Sequence, residues 1–166
     1  MGGPLSGPEW PDRLLASLVY MLPALDGFEY GAHLYRQNEV LHTVAAAVSP
    51  AVVAYQSVPF SSLIFFLALS AFVSGSLRGS LSTFVRFNIQ QALFLDMILI
   101  LPFMFPELSN WVLHHGGPGV LVVGRSSMWF AWVSVIGYAA VCNVQGRMPD
   151  QLPMLSPAAK AMVDMS

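Results

Sequence analysis

The stretch FVRFNIQQALFLDMILILP, from Phe84 to Pro102, decides the fold. It is a nearly continuous apolar run that also carries arginine, asparagine, glutamine and aspartate along one helix. A charge near the centre of a bilayer costs about 2.5–3.5 kcal/mol on insertion scales, so such residues persist where they face protein or water. The candidates for lining a path or for joining helices are therefore Arg86, Asn88, Gln91 and Asp96. The milder alternative is that Arg86 and Asn88 lie at the membrane interface and that only Asp96 is deep.

The composition places the whole chain in the class of membrane proteins. Its 166 residues are 55% apolar and only 10% charged, whereas soluble domains have about 25% charged residues. A net charge of −2 provides no basic surface for nucleic acid. Cys142 is the single cysteine, which excludes an internal disulfide and a cysteine-rich metal site. The sequence therefore predicts a small multi-pass protein of the lipid bilayer.

Apolar segments predict an all-α membrane protein, a bundle of four transmembrane helices. The predicted spans are Leu14 to Gly31, Pro59 to Gly75, Thr83 to Phe105, and Met128 to Cys142, the last lengthened by Gly119 to Val123. Between the first and second spans, Val40 to Val58 is apolar but interrupted. We expect an additional interfacial or re-entrant helix there, with Pro50 as its break. A fifth crossing is the alternative for this segment.

The spans divide the chain into an N-terminal tail at 1–12, a four-helix transmembrane domain at 13–145 and a Pro-rich C-terminal tail at 146–166. The N-terminal tail lacks the Arg- and Ser-rich character of a transit peptide, so either the helices target the chain or a presequence is missing from this numbering. In the C-terminal tail, prolines 149, 153 and 157 predict that no regular helix begins before Ala158. The apolar residues Leu152, Met154 and Leu155 must then be buried against the bundle or another subunit.

The distribution of basic residues orients the predicted bundle. With four crossings, one side of the membrane collects Arg13, Arg78, Arg86, Arg147 and Lys160. The opposite side has only Arg36 and Arg125. This asymmetry favours both termini on the cytoplasm-equivalent side, which in a plastid is the stroma.

The sequence contains no arrangement of residues typical of catalysis. His114 and His115 belong to the segment HHGGPG, which we expect to be a solvated loop without further metal ligands. Asp26 and Glu29 lie one helical turn apart and form either a carboxylate pair or a helix end at the interface. No nucleophile–His–acid spacing, Walker loop or dinucleotide fingerprint occurs. We therefore predict neither an enzyme nor a metal centre.

Four motifs follow one another along the chain. LPALDGFEYG occupies Leu22–Gly31, YQSVPF occupies Tyr55–Phe60, and FVRFN begins the stretch that ends at Leu95-Asp96. The fourth is a tail with spaced glycine, prolines and serine. In this order, over about Leu14 to Met162, they resemble the twenty-kilodalton subunit family of the translocon at the inner chloroplast envelope. The residues that carry the resemblance, with an implied structural role, are Pro23, Asp26, Gly27, Tyr55, Ser57, Pro59, Gly146, Pro149, Pro153 and Ser156.

The resemblance implies a four-helix protein of the plastid inner envelope with both termini in the stroma. It also implies a membrane component of the preprotein translocon that contributes to the protein-conducting path. The implied partners are other membrane subunits of a large complex and preproteins in transit, with no catalytic residue and no cofactor. The competing hypothesis is an accessory structural subunit of a thylakoid pigment–protein complex. In that case His42, Asn88 or Gln91 would ligate chlorophyll magnesium, and chlorophyll or carotenoid would be the cofactor.

Overall fold

A computed structural model describes residues 7–74 and 79–165 of the chain. Within these ranges every regular element is helical, which confirms the predicted all-α class. The elements are α1 (Trp10–Leu18), α2 (Met21–Asp26), a 3-10 helix (Gly27–Gly31), α3 (Ala32–Gln37), α4 (Glu39–Gln56), α5 (Ser61–Ser74), α6 (Thr83–Met104), α7 (Pro106–Val144) and α8 (Leu155–Met165). Gly75 and Arg78, used above for a span boundary and for the charge distribution, lie outside the described residues.

The central helix of the fold is α6, and its limits agree with the predicted span from Thr83 to Phe105. The side chain of Ser82 caps its first turn by accepting a hydrogen bond from the amide of Val85. α6 contacts α1, α2, α5, α7 and α8. In the apolar stretch of α6, 61% of the residues are buried inside the protein, whereas only 6% are buried in the apolar stretch of α7. The polar residues of α6 therefore face other helices of the same chain.

The number of helices that are long enough to cross a membrane is smaller than the number of predicted spans. Among the described residues α6 and α7 each meet the requirement, and α4 with α5 meets it only as a bent pair. The predicted first crossing is divided among α1, α2 and the 3-10 helix, each shorter than the roughly 20 residues that a span needs. The described part of the chain thus has two candidate spans, or three if the bent pair counts as one.

The break between α4 and α5 differs from its predicted position. The prediction that Pro50 breaks this helix is wrong, because α4 runs through Pro50 from Glu39 to Gln56. An internal proline removes one hydrogen bond, and the helix continues on both sides of it. The chain turns instead after Ser57. Pro59 lies in this turn, and the φ of the next residue, Phe60, is 58°. The axes of α4 and α5 meet there at 82°.

The predicted loop around the two histidines is also wrong. His114, His115 and Gly116 are helical, and the chain leaves the helical conformation only at Gly117, with φ 75° and ψ 174°. A positive φ of this size favours glycine, and Pro118 then suits the start of a helix because its fixed φ is already helical. α7 therefore has two arms joined by a one-residue kink, which we call the first arm (106–116) and the second arm (118–144).

The C-terminal tail folds back along α6. Its helix α8 begins at Leu155, three residues earlier than predicted, because Pro157 lies in the first turn, where a missing N–H removes no helical hydrogen bond. Leu155 is buried and Leu152 is half-buried against the bundle. Met154 is not covered by the bundle, since its side chain is 84% exposed in this chain, and its burial against another subunit stays a prediction. Only part of the tail's apolar surface is thus covered by this chain.

Candidate functional site: two polar clusters beside the central helix

Two amide side chains of α6 form the centre of a first cluster, the amide cluster (Tyr20, Asn88, Gln91, Pro149 and Ser156). Asn88 and Gln91 are fully buried. The hydroxyl of Tyr20 donates to Gln91 Oε1 at 2.8 Å and lies 3.3 Å from Asn88 Oδ1. Asn88 Nδ2 donates to the carbonyl oxygen of Phe84, one turn earlier. The end of the first helical segment is thereby attached to the middle of α6.

The same cluster attaches the C-terminal tail. Gln91 Nε2 donates to the carbonyl oxygen of Pro149 at 3.0 Å and to Ser156 Oγ at 2.8 Å. Ser156 Oγ donates in turn to the Pro149 carbonyl and accepts from the amide of Leu152. Near the other end of α8, Arg86 donates to the carbonyl oxygen of Val163 at 3.2 Å. The polar groups of α6 here join helices by hydrogen bonds, each typically worth about 0.6–2 kcal/mol in a membrane protein.

A second cluster begins at the end of α2 with Asp26. Its Oδ2 accepts hydrogen bonds from Tyr55 in α4, at 3.2 Å, and from Ser62 in α5, at 2.8 Å. Asp26 therefore holds both sides of the 82° bend. Close by, Gln56 Nε2 donates to Glu29 Oε1 at 3.0 Å. Residues of this cluster line an open cavity of about 270 Å³, the acidic groove (Asp26, Glu29, Gln56, Ser62, Leu99 and Ile100).

Asp96 lies behind the acidic groove. It is fully buried, and its carboxyl oxygens accept no hydrogen bond from residues 7–74 and 79–165. The carboxyl of Asp26 is close enough to interact with it electrostatically. Leu99 and Ile100, three and four residues further along α6, line the groove, so Asp96 occupies the same face of the helix. A buried carboxyl that accepts no hydrogen bond and lies beside a second carboxyl is costly in a membrane helix and is typical of functional positions.

The glycines of the first motif allow close contact with α7. An added Cβ at Gly27 would lie 2.5 Å from Nε1 of Trp132, and one at Gly31 would collide with Trp129. Trp132 also donates from Nε1 to the carbonyl oxygen of Pro23 at 2.6 Å. The segment that carries Asp26 and Glu29 is therefore positioned against the second arm of α7.

The remaining motif residues shape the backbone. Ser57 Oγ donates to the carbonyl oxygen of Ala54, and Pro59 follows in the bend between α4 and α5. Gly146 has a φ of 69° after the end of α7, with Arg13 packed against it. The carbonyl oxygen of Pro153 accepts from the amide of Leu155 at the start of α8. These positions fix the turns that bring the polar side chains together.

The geometry of the candidate ligands for metal ions and for chlorophyll magnesium can be read from the structure. In the described ranges no group of three or more His, Cys, Asp or Glu residues is placed to hold a metal ion. His42 is exposed on α4. The amide oxygens of Asn88 and Gln91 lie against the Tyr20 hydroxyl, so magnesium ligation by either residue would displace it.

Sequence reasoning missed three polar members of these clusters, namely Tyr20, Gln56 and Ser62. Tyr20 and Ser62 lie in apolar runs, where a single hydroxyl carries little signal. Gln56 falls within the second motif, yet its partner Glu29 is 27 residues away. Only the folded chain brings these side chains to the acidic residues.

Comparison with known proteins covers almost the whole chain. Residues 4–159 match the sequence family described as "Chloroplast import apparatus Tic20-like". The chain is 30% identical over 152 residues to "Protein TIC 20-v, chloroplastic" of Arabidopsis thaliana, covering 92% of this chain and 71% of that protein. It is 29% identical over 154 residues to a "Tic20 family protein" of Synechocystis sp., covering 92% of each. "Protein TIC 20-II, chloroplastic" of Arabidopsis thaliana is 27% identical over 150 residues, 89% of this chain and 70% of that protein. No solved structure matches the chain.

Proposed function

Because the chain belongs to the Tic20-like family of the chloroplast import apparatus, we propose that it is a membrane component of the preprotein translocon of the inner chloroplast envelope. Within that complex it contributes to the protein-conducting path. It acts beside other membrane subunits and on preproteins in transit. Its role is to shield a partly hydrated path through the membrane for the preprotein, and this role needs no catalytic residue.

The acidic groove is the observation that carries this proposal. In a chain with 10% charged residues, Asp26 and Glu29 line one cavity, together with Gln56 and Ser62. Presequences of chloroplast proteins are Arg- and Ser-rich and poor in acidic residues. A groove with negative charge and hydroxyl and amide groups is complementary to such a segment, and its attraction is strongest where water is partly excluded.

The two clusters have different roles in this proposal. The amide cluster joins the turn between α1 and α2, α6 and the tail, since its hydrogen-bonding groups are engaged with one another. The acidic groove contacts the preprotein, since Glu29, one of the residues that line the groove, is exposed. Asp96 supports the groove from behind. The family's motif residues from Pro23 to Pro59 thus position the groove, and those from Gly146 to Ser156 position the tail.

The proposed topology has four crossings and both termini in the stroma. The first crossing consists of α1, α2 and the 3-10 helix, the second of α5, the third of α6 and the fourth of the second arm of α7. Basic residues on the side of Arg13, Arg147 and Lys160 support this orientation.

Cysteine labelling tests the topology. Cysteines at Gly79 and Met154, both exposed, are expected to react with an impermeant maleimide from one face of the membrane, and a cysteine at Gly119 from the other. Gly79 and Gly119 accept a Cβ without contact, so these substitutions preserve the packing. The native Cys142, which is buried, serves as the control that should stay unlabelled until the protein is unfolded. Labelling of Gly79, Met154 and Gly119 from the same face would overturn the four-crossing arrangement.

Mass spectrometry of the proteins that copurify with the intact chain tests the function. Recovery of envelope translocon subunits and of an arrested preprotein is expected. Recovery of chlorophyll with reaction-centre proteins, and of no translocon subunit, would instead favour the accessory role in a pigment–protein complex.

A further inference from the structure

An apolar cavity of about 310 Å³ lies between the two arms of α7. Leu108 and Val112 line it from the first arm, and Leu121 and Gly124 from the second. Its volume is at the lower end of the range of roughly 300–1,000 Å³ found for ligand pockets. A helix with its side chains is about 10–12 Å across, so the cavity is too small for a partner helix and suits a single flexible chain.

A positive charge lies at the edge of this cavity. Arg125 lines the apolar cavity on one side and a second cavity, shared with Glu29 and Gln56, on the other. In the part of the chain that the structure describes, its guanidinium makes no hydrogen bond or ion pair. Glu29, the nearby carboxylate, already accepts a hydrogen bond from Gln56. The Arg125 side chain is exposed and thus accessible to an anion outside the protein.

We propose that the cavity binds one acyl chain of a membrane lipid whose anionic headgroup contacts Arg125. The apolar cavity suits the acyl chain of such a lipid, and the guanidinium of Arg125 at its edge suits the anionic headgroup. The lipid would fill the angle at Gly117 and hold the two arms of α7 in their relative orientation. Neutral lipids share the acyl chain and lack the charge, so the proposal makes separate claims about the cavity and about Arg125.

Native mass spectrometry of the full-length protein, titrated in detergent with phosphatidylglycerol or phosphatidylcholine, tests both claims. The wild type should retain one phosphatidylglycerol about fivefold more tightly than phosphatidylcholine, as expected for one basic residue near an anionic lipid. Arg125→Gln should reduce the binding of phosphatidylglycerol to that of phosphatidylcholine, and Arg125→Lys should largely preserve the preference. Glu29→Gln should not weaken it.

Gly124→Leu tests the cavity itself. An added Cβ at Gly124 meets no protein atom within 4 Å, so leucine would occupy the cavity without disturbing the packing. Both lipids should then bind at least fivefold more weakly. Gly137→Leu is the matched control in the same arm, since it is also exposed and uncrowded and lies away from the cavity. Unchanged lipid binding by Gly124→Leu would overturn the acyl-chain site, and equal binding of the two lipids by the wild type would overturn the role of Arg125.

Discussion

Replacing Gln91 with leucine is expected to release the C-terminal tail from α6. The substitution removes the hydrogen bonds that Gln91 makes to Tyr20, to the Pro149 carbonyl and to Ser156. Ser156 and the Pro149 carbonyl keep their hydrogen bond to each other, so the tail loses its link to α6 but not its own turn. We expect a loss of about 1–3 kcal/mol in the free energy of unfolding in detergent. Trypsin should then cleave after Lys160 in α8 much faster than in the wild type, because α8 must leave α6 and unwind for cleavage.

Gln90→Leu is the matched control for this experiment. Gln90 is the neighbouring residue, is half-buried and makes no hydrogen bond within the described ranges. Its substitution should leave both the unfolding free energy and the cleavage rate close to those of the wild type. Equal effects of the two substitutions would contradict the assignment of the tail's attachment to the amide cluster.

Replacing Asp96 with leucine is expected to have opposite effects on stability and on import. Asp96 is buried beside a second carboxyl and accepts no hydrogen bond from the described residues. Burying a polar group in this way costs about 1–3 kcal/mol by protein mutational data, and leucine removes that cost. Asp96→Leu should therefore raise the free energy of unfolding while membrane insertion stays intact. Import or assembly with the translocon should fall sharply, because the groove loses the carboxyl beside Asp26. Such an exchange of stability for activity is characteristic of functional positions.

Asp150→Leu provides the same chemical change at an exposed position in the tail. It should alter neither the stability nor the import activity appreciably. A destabilised Asp96→Leu protein, or one that imports as well as the wild type, would show that Asp96 has a structural role and no part in the groove.

Several features of the fold were predictable from the sequence because they depend on local chemistry. The span at α6 combines a long apolar run with a serine in position to cap it, and the prediction agrees with Thr83–Met104. The positions of the breaks were not predictable from proline alone. Pro50 and Pro59 look alike in sequence, yet only Pro59, followed by Phe60 with a positive φ, lies in a turn. Neighbouring packing decides which proline ends a helix.

The candidate site was predictable only in part, for a related reason. The motifs pointed to Asp26, Tyr55 and Gln91 as separate positions, and nothing in the spacing indicated that Tyr55 donates to Asp26 or that Gln91 contacts the tail. These contacts join residues 29 and 58 positions apart. Long-range hydrogen bonds of this kind depend on how the helices pack, which the periodicity of a single helix does not determine.

The most direct test of the central claim, that the acidic groove forms part of the protein-conducting path, is site-specific photocrosslinking during import. A benzophenone side chain is placed at Gln56, an exposed residue of the groove, and in a control at Phe130, which is exposed on the second arm of α7. A preprotein arrested during import is expected to crosslink at Gln56 and not at Phe130. Crosslinking at Gln56 should weaken when the arginines of the presequence are replaced by glutamine. Efficient import with no crosslink at Gln56, or with an equal yield at Phe130, would contradict the claim.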